Sequence, residues 1–200
     1  MAASETVVGN SALFKLGKQG VASFDDPSEA ARWLKSRFAP VRDLLLRAAP
    51  WTFAMRRARL SADTSPPEWG YDRAFPLPDE CLRLIEVGGS YVAFGTTDYE
   101  TEPRAAFSVE GRRLLTNLPA PLDVRYVARE TNTALWDPLF DEALACRLAA
   151  DLAEKFTQSG SKKKDALDEF QVVMREAARA NAIERAPEGR ADGSWVLSRL

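Results

Sequence analysis

Apolar positions follow a helical period at both ends of this chain and a period near two in its middle. Residues 5–16 place Val7, Val8, Ala12, Leu13 and Leu16 on one broad face, which predicts a helix. Gly17 is its expected stop, and Lys15 and Lys18 sit where cations suit a helix end. Asp26-Pro27-Ser28-Glu29 predicts the next start, with Asp26 as N-cap, Pro27 at the first helical position and Glu29 at the third. From there to residue 49, Leu34, Phe38, Val41 and Leu45 hold one face, with Pro40 as an expected kink and Pro50 as the end.

Between Trp51 and Arg129 the period shortens and turn residues multiply. Residues 51–60 read as a strand, 65–67 as a loop, 71–75 as a short strand, and 76–81 as a constrained turn. Residues 82–87 read as a strand ended by Gly88-Gly89. Phe107-Ser108-Val109 and Arg113-Leu114-Leu115-Thr116 flank a hairpin turn at Glu110-Gly111, and 123–128 form the last strand.

Helical spacing then returns. Asp137-Pro138 is a second acid-then-proline start, and Phe140, Leu144, Leu148, Leu152 and Phe156 follow at steps of four. Ala143, Ala145, Ala149, Ala150 and Ala153 flank that line and permit close helix approach, so this is the expected central helix. Cys146 sits beside the same line and reads as a buried, reduced thiol. Ser159-Gly160-Ser161 links to a final helix over 163–184, with Leu167, Phe170, Met174, Ala177 and Ala178 inward. The order predicts an α+β fold: a four-helix bundle (1–50 plus 132–185), an inserted strand-rich subdomain (51–131) and an extended C-terminal tail (186–200).

Composition narrows the chemistry. The chain has 200 residues, 46% of them apolar, and no histidine, which removes Ser-His-Asp and Cys-His catalysis. Cys81 and Cys146 are too far apart for a Cys-x-x-Cys zinc pair. No cofactor and no metal are expected. The net charge of −2 argues against a dedicated nucleic-acid binder. No apolar run is long enough to span a membrane, and residues 1–10 lack the pattern of a signal peptide.

Charge is uneven along the chain. Residues 30–60 carry eight basic side chains against one acid, and 61–110 carry ten acids against three arginines. This reads either as two surfaces that meet between copies or as solvated faces. Arg56, Arg57 and Arg59, near Trp51 and Phe53, are subunit-contact candidates, although alternation splits them between two faces of a strand. Lys162, Lys163 and Lys164 open a helix, where the dipole disfavours cations. The plainer reading is a solubilising run; the functional alternative is contact with an acidic partner or with DNA phosphate. Asp79 and Glu80 are adjacent acids that point apart on an extended segment, so they make no acid/base pair unaided. Trp195, Val196 and Leu197 near the end are candidate anchors for a partner.

Several of these segments resemble one family. Arg42-Asp43-Leu44-Leu45-Leu46-Arg47, Pro50-Trp51-Thr52-Phe53-Ala54, and Trp69-Gly70-Tyr71 through Leu77-Pro78-Asp79-Glu80-Cys81-Leu82-Arg83 are similar to segments of head-to-tail adaptors of short-tailed phages, the tubular tail protein A family. Asp137-Pro138-Leu139-Phe140 with Glu142-Ala143-Leu144-Ala145 resembles the start of that family's long third helix, and Gly193-Ser194-Trp195 its C-terminal tail. The resemblance implies a non-enzymatic virion protein that forms a ring, usually twelve-fold, beneath the portal protein and carries the tail nozzle or tube. DNA passes through such a ring without being read. Pro187, Gly189 and Gly193 ahead of Trp195, Val196 and Leu197 predict an arm ordered only in the assembly, with Trp195 buried against another subunit or the portal; the alternative is a disordered end with an accidental aromatic. The other classes considered are a peptidoglycan-cleaving virion enzyme using Asp/Glu pairs and a free-standing cytoplasmic interaction module.

Overall fold

A computed structural model describes residues 4–91, 107–158 and 160–184, so the tail at 186–200 lies outside the described residues. The fold is α+β. Two helices come first, α1 (Glu5–Lys15) and α2 (Glu29–Ala48). Seven strands follow among the described residues: β1 (Met55–Leu60), β2 (Arg73–Pro76), β3 (Cys81–Val87), β4 (Ser90–Tyr91), β5 (Phe107–Glu110), β6 (Arg113–Thr116) and β7 (Leu122–Ala128). Two helices close the order, α3 (Pro138–Thr157) and α4 (Gly160–Ile183).

α3 is the hub: α1, α2 and α4 all pack on it. Its Phe140, Leu144, Leu148 and Leu152 line is buried, as are all five flanking alanines, while Phe156 at the end is half-buried. Asp137 caps it as expected, its carboxylate accepting from Leu139 N at 2.7 Å, with Pro138 opening the first turn. α1 ends at Gly17, whose φ of +70° is the left-handed conformation a helix stop uses.

Three expectations need correction. α2 is capped by Ser28, whose Oγ accepts from Ala31 N at 3.2 Å; Asp26 spends its carboxylate on the turn before, accepting from Ala22 N at 2.8 Å. As expected, the apolar face of α2 continues through Pro40: Leu34, Phe38, Val41 and Leu45 are all buried. On α1, Val7 faces outward, because Ala12, Leu13 and Leu16 already fill the contact with α3. On α4, Ala178 is exposed, and Ala166, Val173 and Ala177 are the buried positions.

The strands form two antiparallel sheets, β1-β7-β3-β4 and β2-β6-β5. Alternation along β7 assigns its two faces. Val127, with Met55 of β1 and Ile85 of β3, joins the helical core. Leu122, Val124 and Tyr126 turn the other way and meet Phe75 and Leu114 of the second sheet. The order of layers is therefore helices, first sheet, second sheet. Residues 52–54 are a 3-10 turn, so β1 starts at Met55. The β5–β6 turn is Gly111-Arg112, both at positive φ, one residue later than Glu110-Gly111.

Candidate functional site

Helices, first sheet and the last described residues converge at Trp51. Its indole N–H donates to Leu45 O at 3.0 Å, which fixes the chain as it leaves α2. Thr52 then holds the end of α4: its N–H donates to Asn181 Oδ1 at 3.4 Å and its Oγ1 to Glu184 Oε2 at 2.9 Å. The end of α4 is therefore held beside the head of β1.

β1 separates the three arginines as alternation requires. Arg56 pairs with Glu130 and donates to Phe53 O at 2.9 Å. Arg59 grips Asp123 with two bonds, at 2.6 and 3.1 Å, which hold the Asp123 carboxyl below its usual range. Arg57 has no ion-pair partner among the described residues. In register it lies opposite Arg125, which is itself paired with Glu86 at 3.2 Å. Arg57, Arg59 and Arg125 thus line one groove of about 410 Å³ with Glu86 and Asp123, three cations against two anions among the described residues.

Much of the sequence's charge imbalance disappears in the fold. Lys35 meets Asp25 at 2.7 Å, Arg37 meets Asp151 at 2.5 Å, and Arg42 meets Asp43 at 2.9 Å and Glu5 at 3.6 Å. Some acids of 61–110 are also engaged, Asp63 with Arg113 and Asp79 with Arg112. Lys162, Lys163 and Lys164 are exposed in the first turn of α4, and Lys163 reaches Glu154 at 3.3 Å. Trp195, Val196 and Leu197 lie outside the described residues.

Of the acid pair, Glu80 accepts from the Tyr126 hydroxyl at 2.7 Å, which holds its carboxyl below the usual range. A general acid needs the opposite shift. Cys81 and Cys146 are free and buried, and burial pushes both thiols up to about 11. Cys146 belongs to the metal-like set found among the described residues, with Glu142 and Glu169. A cation already sits there: Lys15 Nζ is 2.6 Å from each glutamate. Burial works against that ammonium, but the two carboxylates outweigh it and hold the lysine above its usual range. The cluster ties α1, α3 and α4 together. No described helix is long and apolar enough to cross a membrane.

Asp141, in the first turn of α3, has a buried Oδ1 that accepts no hydrogen bond among the described residues. Burial, then the charge of Asp137, raises its carboxyl to about 6. The folded state therefore binds this proton more tightly than the unfolded chain, and stability falls as pH rises from about 4 to 6. Asp141→Asn should raise the thermal midpoint at about pH 7.5, and the gain should vanish below about pH 4. An equal effect at both pH values in melting experiments would show that ionisation is not its cause.

Sequence reasoning missed one feature. The loop ahead of β2 carries Trp69, 85% exposed, between Glu68 and Gly70 at φ +86°. Its base is clamped to the second sheet by Asp63 N to Ala74 O at 2.7 Å and Asp72 N to Asn117 Oδ1 at 2.9 Å. Pro66-Pro67 before an aromatic was the available signal.

Neither a protein-family profile nor a curated protein sequence matches this chain.

Proposed function

We propose that this chain is a structural virion protein, a head-to-tail adaptor. Copies form a closed ring of twelve between the portal protein and the tail nozzle or tube, and DNA passes through without sequence-specific contact. Residues 1–50 and 132–185 are the helical bundle, 51–131 the strand-rich insert, and 186–200 the arm that reaches a partner. The protein acts in the neck of the virion after assembly in the host, needs no cofactor, and catalyses nothing.

The observation that carries this reading is the use made of the resembling motifs. Trp51 and Thr52 lie where the bundle, the first sheet and the end of α4 are fastened together. Leu77 and Cys81 pack in the core between the sheets, and Leu82 packs against the helical core. These residues fasten helices and sheets into one frame, and a ring subunit needs such a frame to hold its contacts in register.

The test is electron microscopy and sizing of the purified protein mixed with its portal. A closed ring seated on the portal is expected. Monomers only, with portal present and at low salt, would overturn the proposal. Monomers in isolation would not, because the portal can act as template.

A further inference from the structure

Among the described residues, once the ion pairs are made, two surfaces keep opposite unpaired charge, and they lie on opposite sides of the sheet pair. The first is the groove on the first sheet. Along its cross-strand line Glu86–Arg125–Arg57, one acid faces two bases, and Arg57 is the excess cation. Like charges directly opposite on a sheet repel, so Arg57 gains from an anion supplied from outside. The second is the Trp69 loop. Its Glu68 has no ion-pair partner among the described residues, and Trp69 projects beside it from a base held at both ends. A tryptophan face is the best aromatic acceptor of a guanidinium, and a carboxylate next to it supplies the anion.

We infer that copies of this chain dock head to tail through these two surfaces, the Glu68-Trp69 loop of one copy seated in the Arg57 groove of the next. The inference rests on the ring reading above and names the contact that would build the ring. The groove volume of about 410 Å³ lies in the range that accepts one bulky group. Val124 and Arg125 alternate along β7, and Val124 faces the second sheet, so the arginine face turns away from it. Ala74 and Leu115 under the loop lie on the far face of the second sheet, opposite in alternation to Phe75 and Leu114. One copy therefore cannot close the contact on itself. Two different patches on each copy make a heterologous contact, the kind that generates rings.

The test exchanges charge across the contact. Glu68→Arg alone and Arg57→Glu alone should each weaken ring formation about tenfold or more, read by sedimentation alone and by occupancy on the portal. Mixing Glu68→Arg copies with Arg57→Glu copies should restore it, because every second contact is then wild type and the others are reversed pairs. Trp69→Ala should weaken assembly by at least as much as either swap, with an unchanged melting curve because the side chain is exposed. Rings that persist in either single variant, or a mixture that stays dissociated, overturn this contact and leave the adaptor reading standing. A Trp69→Ala variant that forms rings but no longer seats on the portal also overturns it, by assigning the loop to another protein. Wild-type copies that stay monomeric on the portal overturn both readings.

Discussion

Phe140→Ala should destabilise the protein by about 3–5 kcal/mol. Phe140 is fully buried on α3 and makes edge contacts with Trp51, Phe53 and Trp136, each at 5.1 Å between ring centres. Those three rings come from the exit of α2 and from the segment entering α3, so one truncation opens a cavity beneath all of them. Edge contacts add to the simple loss of buried area. Leu148→Ala, two turns further along the same buried line, should cost about 2–5 kcal/mol. Against a total of roughly 5–15 kcal/mol for a domain, the Phe140 loss leaves a marginal fold. Urea denaturation checks it. A loss under about 1.5 kcal/mol would mean that the rings close over the gap.

Deleting residues 187–200 should leave helical content and melting unchanged and abolish attachment to the portal. The fastening of α4 survives the deletion, because Asn181 and Glu184 still bind Thr52. The lost anchors are Trp195, Val196 and Leu197. A tryptophan seated in a pocket contributes about 2 kcal/mol or more, roughly a thirtyfold loss in affinity when removed. Co-sedimentation with portal rings and circular dichroism of the truncated protein are the two measurements. Full-occupancy docking of the truncated protein would move the portal contact onto the helices.

The helices were legible because their signals are local. Asp137-Pro138 and the four-residue steps of α3 needed no distant partner to be read, and Asp137 caps that helix. The cap of α2 was misplaced because Asp26 and Ser28 are both good N-cap residues, and only the turn at 22–26 decides which carboxylate or hydroxyl is free. Size alternation at Trp51-Thr52-Phe53 imitates a strand, but Trp51 is drawn back to Leu45 O and the chain coils before β1 begins. The division into two sheets was not legible. β7 pairs with β1 across more than sixty positions, and hydrophobic alternation alone does not choose between β1 and β6 as its neighbour. The charge imbalance misled for the same reason. Arg37 and Arg56 meet Asp151 and Glu130, acids far away in the chain, so much of the apparent basic surface is neutralised within one copy. The loop at Trp69 was passed over because a lone exposed aromatic has no periodicity to mark it.

The position of α3 as hub has a consequence for synthesis. α1 and α2 bury their apolar faces chiefly against a helix that the ribosome has not yet made. Between the end of α2 at Ala48 and the start of α3 at Pro138 lie 89 residues. At about 5–20 residues per second, the exposed stripe of Leu34, Phe38, Val41 and Leu45 waits roughly 4–18 s for its partner. During that interval the growing chain offers chaperones, or another nascent copy, the surface that will become its own core. Slow codons before α3 would lengthen the exposure, and a faster middle segment would shorten it.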